Sequence, residues 1–158
     1  MSATEKGTLV HEFMEYVPLE KNVSIKQVID ILYQQQRYTE LEYEVLCEYQ
    51  DKLETFIQSS AFEMMKNAKE CLREQPFSFM KDGQLIHGTF DVLCIDDNQI
   101  SIIDYKTDRV SMYSKNTELV EKHAFQLNLY KEALQSIYPD LKIDGYLYYL
   151  EIGRFVRV

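Results

Sequence analysis

The sequence predicts an α/β fold of the mixed, α+β kind, in which helices cover a mixed β-sheet and the N-terminal half of the chain is helical. Apolar residues recur at helical spacing in the first half of the chain. Between residues 77 and 106 their period is closer to two, which is typical of strands. A later helical segment and two short strands complete the order of helices, three strands, a helix and further strands.

The N-terminal helices have recognisable starts and ends. Apolar residues three and four positions apart form the first helix, and these are Leu9, Val10, Phe13, Met14 and Val17. Pro18 ends this helix. Two capping boxes predict the next two starts, and they are Ser24 with Gln27 and Thr39 with Glu42. We expect the third helix to continue to Ile57, with the six acids between residues 40 and 54 on a solvated face.

Turn-forming residues divide the rest of the chain. Gly83 and residues 96–99 break the alternating region into strands. The remaining boundaries are a helical segment from Ser114 to about Tyr138, stopped by Pro139, and short strands at residues 146–150 and 155–158 around Gly153. We therefore expect one domain over residues 1–158.

Composition narrows the classes of function. Seventeen Lys and Arg residues against 26 Asp and Glu residues give a net charge of −9, which argues against binding nucleic acid by bulk charge. No apolar run approaches the roughly 20 residues of a membrane span, and the N-terminus has no secretory h-region. Three scattered cysteines, Cys47, Cys71 and Cys94, exclude a disulfide framework and fit a reducing cytosol.

The last hairpin before residue 106 brings two acids together. If Asp97 and Asn98 form a two-residue turn, the numbers of paired residues add up to 195, so Asp91 faces Asp104. Their Cβ atoms would lie about 5 Å apart, with Lys106 on the same face. Such carboxylates need a proton, a cation or a metal, and Mg²⁺ is bound by one or two carboxylates. A longer turn would remove this pairing and leave a surface hairpin whose acids point to water.

Five segments, in order, resemble motifs of the PD-(D/E)XK nuclease superfamily. They are residues 7–11 (G-T-L-V-H), 73–77 (R-E-Q-P-F), 88–91 (G-T-F-D), 104–108 (D-Y-K-T-D) and 126–130 (Q-L-N-L-Y). The sequence is most similar to RecB-like nuclease domains of the AddA or RexA type, over roughly residues 4–150. The resemblance implies a restriction-endonuclease-like core and a metal-dependent deoxyribonuclease, in particular an exonuclease of double-strand break repair and recombination.

The resemblance also implies a role for individual residues. The implied metal ligands are His11, Asp91, Asp104 and the backbone carbonyl of Tyr105. The residues implied to act on the substrate are Lys106 as the catalytic lysine, Glu74 as an assisting acid, and Gln126 and Tyr130 as residues that position the site or contact DNA. Gln126 and Tyr130 are four positions apart and therefore share one helix face.

Cofactors and partners follow from the same resemblance. It implies Mg²⁺ or Mn²⁺, a DNA single strand delivered by the helicase portion of a longer polypeptide, a partner of the AddB or RexB type, and a bacterial cytoplasmic location without a membrane. Some relatives hold an iron–sulfur cluster with four cysteines, but the number and spacing of cysteines here predict none.

Two alternatives to this interpretation come from the same fold. The chain lacks a phosphate-binding G-x-x-x-x-G-K-[ST] loop, so we expect no ATPase activity and an excised domain or a stand-alone relative. One alternative is a non-catalytic PD-(D/E)XK-like interaction module, and another is a stand-alone phage-type exonuclease. The intact set of Asp91, Asp104 and Lys106 favours an enzyme over the interaction module.

Overall fold

A computed structural model describes all 158 residues as seven helices and one five-stranded sheet. The N-terminal helices are α1 (Ala3–Glu15), α2 (Ile25–Gln34), α3 (Glu40–Glu48), α4 (Gln50–Ile57) and α5 (Ser60–Asn67). The strands are β1 (Glu70–Lys81), β2 (Gln84–Ile95), β3 (Gln99–Lys106), β4 (Lys142–Tyr149) and β5 (Arg154–Arg157), with α6 (Asn116–Glu121) and α7 (Ala124–Ile137) between β3 and β4. The predicted fold class and order of elements are confirmed.

The sheet is mixed and has a hydrophobic core on each face. Its strand order is β1-β2-β3-β4-β5, and β3 and β4 form the parallel pair, joined by the crossover through α6 and α7. The larger core joins α1–α5 to one face of the sheet, and the smaller core joins α6 and α7 to the other. Alternation along β3 divides its residues between them, so Ile103 belongs to the first core and Ile102 to the second. No helix is long and apolar enough to cross a membrane.

The predicted register of the β2–β3 hairpin is confirmed. Val92 pairs with Ile103 and Ile95 pairs with Ile100, so the numbers of paired residues add up to 195. The Asp96 N–H donates to the Gln99 carbonyl at 2.9 Å and closes the two-residue turn. The expected turn at Gly83 is also present.

Two predicted helices are each interrupted. The single helix expected from Thr39 to Ile57 is wrong, because Tyr49 ends α3 and precedes α4. The Tyr49 N–H is shared between the Val45 and Leu46 carbonyls, which tightens this turn. The last helical segment is divided at His123, whose φ of −127° is not helical.

Candidate active site

Asp91 and Asp104 meet where the pairing of β2 and β3 stops. The last pair of the ladder is Val92 with Ile103, and the two acids occupy the next position in the same register. The Asp91 carboxylate replaces a ladder bond there, because its Oδ2 accepts a hydrogen bond from the Tyr105 N–H at 2.8 Å. Asp104 is only 6% exposed. The predicted carboxylate pair therefore exists and is largely shielded from water.

Glu74 is the third acid of the site and has a left-handed backbone, with φ of 52°. It stands opposite Asp91, because the neighbouring pairs are Arg73 with Val92 and Gln75 with Phe90. A left-handed residue inside a strand costs conformational energy and bends it, and such strain is concentrated at functional sites. Burial, together with the charge of Asp91, raises the pKa of Glu74 to about 7.

Lys106 is held between β3 and α7. Its Nζ lies 2.8 Å from Asp104 Oδ2 and donates to Gln126 Oε1 at 2.9 Å. The Gln126 side-chain amide in turn donates to the Tyr130 hydroxyl at 3.1 Å. The structure therefore brings the predicted helix pair, Gln126 and Tyr130, to the lysine, with Gln126 in direct contact.

His11 reaches the site from α1, on the opposite face of the sheet. Its Nδ1 is 3.0 Å from the Gly7 carbonyl and its Nε2 is 3.0 Å from the Tyr105 carbonyl. Since both nitrogens face acceptors, the imidazole carries two protons and is positively charged in this arrangement. Burial alone lowers its pKa, but the hydrogen bond to Asp91 and the charge of Asp91 raise the pKa of His11 to about 9.

The carboxylates carry more negative charge than this environment easily accommodates. Burial, followed by the charge of Asp91, raises the pKa of Asp104 to about 6, against the opposing effect of Lys106. The Lys106 ammonium, 2.8 Å away, is the only cationic partner of the buried Asp104 Oδ2. One ammonium for two neighbouring carboxylates compensates their burial only in part.

The donors suit a hard divalent cation, although no group of three or more His, Cys, Asp or Glu side chains is already arranged to hold one. Asp104 and Asp91 together give two neighbouring carboxylates, which suit Mg²⁺ or Mn²⁺ better than a soft metal. The implied ligand His11 points to the Tyr105 carbonyl instead. To ligate a metal it would have to lose a proton and this contact.

The pocket around these residues has a volume of about 300 Å³ and contains three residues without a predicted role, which are Thr89, Thr107 and Asp108. Asp108 Oδ2 lies 3.0 Å from His123 Nε2 and 2.9 Å from Lys122 Nζ. His123 therefore has an acidic partner, which the spacing of the two residues in the sequence did not indicate. The presence of Asp108 in the D-Y-K-T-D segment was the available signal.

A mixed sheet whose central hairpin ends in two carboxylates and a lysine is an arrangement that can hold a metal ion beside a phosphodiester. The chain matches the family model of the PD-(D/E)XK nuclease superfamily over residues 1–156, and it belongs to this superfamily.

The chain is similar to parts of bacterial helicase/nuclease proteins. It is 33% identical over 162 residues to an ATP-dependent helicase/nuclease subunit of Oenococcus oeni, an alignment that covers 91% of this chain and 13% of the relative. It is 30% identical over 154 residues to the exonuclease/helicase protein RexA of Streptococcus pneumoniae, with 93% and 12% covered. The ATP-dependent helicase/nuclease relative from Listeria welshimeri is 29% identical over 175 residues, with 96% and 14% covered. The chain thus spans about an eighth of the length of these relatives.

Proposed function

We propose that this chain is a metal-dependent deoxyribonuclease domain that hydrolyses phosphodiester bonds. The single observation that carries the proposal is the buried Asp104 carboxylate, which lies beside the Asp91 carboxylate and has Lys106 as its only cationic partner. Asp91 and Asp104 would hold Mg²⁺ or Mn²⁺, and the Tyr105 carbonyl and a deprotonated His11 would complete the protein ligands. When bound, such a cation polarises a phosphoryl oxygen and lowers the pKa of bound water.

The side chains around the metal position have separate tasks in this proposal. Lys106, fixed by Asp104 and Gln126, places an ammonium at the pocket, where it orients the nucleophile and stabilises negative charge on the phosphate. Tyr130 restrains Gln126 through their hydrogen bond. Glu74, whose pKa is raised to about 7, is suited to accept or release a proton near neutral pH.

The names of the relatives suggest a wider setting for this activity. We propose that the domain acts as an exonuclease within a longer bacterial, cytoplasmic polypeptide, and that a helicase portion delivers a single DNA strand to it. In this setting a protein of the AddB or RexB type would be its partner, and the activity would serve double-strand break repair and recombination. The net charge of −9 supports this arrangement, because binding of free DNA by this chain alone would be weak and sensitive to salt.

Cleavage of end-labelled DNA tests the proposal. Single- and double-stranded substrates are incubated with the chain in Mg²⁺, Mn²⁺ or EDTA, beside Asp104→Asn and Lys106→Ala. Lys69→Ala is the matched control, because Lys69 forms an exposed ion pair with Asp97 at the turn at the other end of the β2–β3 hairpin. We expect metal-dependent cleavage by the wild type and by the control, and loss of cleavage in the two site variants.

The opposite result would favour the non-catalytic module. No cleavage, combined with no Mn²⁺ binding in calorimetry, would overturn the nuclease proposal. Mn²⁺ binding that requires both Asp91 and Asp104, without cleavage, would instead identify a nuclease that needs its helicase. Efficient degradation of free ends by the chain alone would favour the stand-alone exonuclease.

A further inference from the structure

A groove beside the catalytic pocket is larger than the pocket, and apart from His11 its lining residues have no part in the proposed chemistry. Its volume is about 950 Å³, against about 300 Å³ for the pocket. Its walls are the N-terminal half of α1, the junction of α3 and α4, and the segment that follows β3. His11, Thr107 and Asp108 line both cavities, so the groove opens directly from the catalytic pocket. A linear molecule that occupies the pocket can therefore continue into the groove.

The side of the groove next to the pocket is fixed by a close contact between α1 and the end of β3. Gly7 is buried there, and a Cβ at this position would lie 2.8 Å from Thr107 Oγ1. Any larger residue would push α1 or Thr107 away. The same turn of α1 holds His11 through the Gly7 carbonyl. The close packing of α1 on the end of β3 thus fixes the position of the groove relative to the catalytic pocket.

The charge of the groove differs from that of the rest of the chain. Its lining contains three basic and three acidic side chains, which are Lys6, Lys52, Arg109, Glu48, Asp108 and Glu151. These six charges cancel and the protonated His11 adds one positive charge, whereas the whole chain has a net charge of −9. The acids are also partly neutralised by neighbours, since Asp108 contacts Lys122 and His123 outside the groove.

One cation of the groove is free to bind an anion. Lys52 is paired with Glu151 at 2.5 Å, and Lys6 only loosely with Glu48 at 3.8 Å. Arg109 is exposed and forms no ion pair or hydrogen bond with the protein. A guanidinium binds a phosphate through two parallel hydrogen bonds. Two threonine hydroxyls on α1 and the ring of Tyr49 provide further contacts for a phosphate backbone and a base.

We propose that this groove binds the nucleotides of a single strand that flank the scissile phosphate, with Arg109 and Lys6 on the phosphates. The inference rests on the proposed nuclease function and adds the place where the flanking strand binds and the side chains that hold its phosphates. One phosphate backbone matches a groove that has no net negative charge, a free guanidinium and a loosely held lysine. A duplex would bring a second backbone against the acidic remainder of the chain, which includes the other five acids of residues 40–54.

Binding measured as a function of salt tests this assignment. The affinity of a fluorescent single-stranded oligonucleotide is followed by anisotropy in a Lys106→Ala background with Mg²⁺, so that cleavage does not interfere. Removal of one phosphate contact from a single strand reduces the slope of log K against log salt by about 0.7. We expect this change for Arg109→Gln and for Lys6→Gln, and about twice this change for the double variant. Lys69→Gln is the control and should leave the slope unchanged.

Substrate length gives a second test in the otherwise native chain. Arg109→Gln should raise KM for a long single strand by about ten- to a hundredfold, since hydrogen bonds to charged groups contribute about that much. The same substitution should leave kcat for the long strand unchanged. For a dinucleotide, which cannot reach the groove, it should change neither kcat nor KM.

Three results would overturn the inference. They are an unchanged salt slope in the double variant, an equal change with Lys69→Gln, and duplex binding as tight as single-strand binding at equal length. Absence of cleavage by the wild type would count against the nuclease function alone, because the anisotropy measurement does not depend on cleavage.

Discussion

Asp104 and Asp144 are buried to a similar extent in the adjacent strands β3 and β4, being 6% and 7% exposed. Asp144 is well paired, because its carboxylate accepts from Gln99 Nε2 at 2.8 Å and from Arg157 at 2.9 Å, with Lys142 at 3.6 Å. Asp104 has only Lys106 as a cationic partner and faces Asp91.

Because of this difference in partners, the Asp144 carboxylate stabilises the fold, whereas the Asp104 carboxylate destabilises it. Hydrogen bonds and opposite charges offset the cost of burying Asp144, which ties β3, β4 and β5 together. At Asp104 the same cost is offset only in part, since Lys106 is the one cationic partner and the like charge of Asp91 lies beside it. Burial of this kind is typical of a site completed by a ligand.

The largest expected difference between the two aspartates is in cleavage. Asp104→Asn should reduce kcat/KM by about 10³-fold or more, or about 4 kcal/mol of transition-state stabilisation, if Asp104 holds the metal as proposed. Asp144→Asn should remain within about threefold of the wild type, since it lies outside the pocket. Initial rates with end-labelled single strands measure both. Equal losses would mean that the two carboxylates do not differ in the way their contacts indicate.

Stabilisation of the folded chain by a metal ion should likewise depend on Asp104 and not on Asp144. Mn²⁺ at about 100 times its Kd should stabilise the wild type by about 2.7 kcal/mol, because it binds only the folded chain. Asp144→Asn should retain this increase, and Asp104→Asn should lose it. Thermal unfolding with Mn²⁺ and with EDTA provides the measurement. A stabilisation that survives Asp104→Asn would place the metal elsewhere.

In EDTA the two substitutions should change stability in opposite directions. Asp144→Asn should lower the free energy of unfolding by about 1–2 kcal/mol, because partly exposed ion pairs are lost while an amide oxygen remains for Gln99. Asp104→Asn should raise it by about the same amount at pH 8, since its folded pKa is raised to about 6.

The effect of Asp104→Asn should also depend on pH. A carboxyl with a raised pKa in the folded state binds its proton more tightly there, so the wild type loses stability as the pH rises from about 4 through about 6. The gain from Asp104→Asn should therefore shrink as the pH falls from about 6 to about 4. Urea unfolding at several pH values measures this dependence, and a gain that is constant with pH would contradict it.

The smallest expected effect is at the contact that positions Lys106. Gln126→Ala removes the hydrogen bond to Lys106 Nζ and should lower kcat about three- to tenfold, with little change in unfolding temperature. Gln135→Ala is a matched control at the other end of α7, where the Gln135 amide donates to the Tyr138 and Pro139 carbonyls. If both variants retain full kcat, Gln126 does not position the lysine.

The register of the active-site hairpin could be predicted because a two-residue turn fixes every pair that follows it. Asp91 and Asp104 therefore followed from the positions of Asp97 and Asn98 alone. The left-handed Glu74 could not be predicted, since no glycine or asparagine marks the position. The contact of His11 with Tyr105 joins residues 94 positions apart, and it depends on how α1 packs on the sheet.

The cysteines also show that sequence patterns do not predict contacts between distant segments of the chain. They are scattered along the chain, yet Cys71 and Cys94 face each other across β1 and β2. This pairing follows from the β1–β2 register, which no pattern in the sequence had indicated. The local patterns thus defined the elements and one hairpin, while contacts between distant elements required the folded chain.

The crossover between β3 and β4 also bears on when the chain can become active. Lys106 ends a strand that is paired on one side with β2 and on the other with β4, which begins at residue 142. During translation, at about 5–20 residues per second, β3 therefore leaves the ribosome before its second neighbour has been made. If the domain cleaves DNA as proposed, we expect the nascent chain to be inactive until β4 docks beside Lys106.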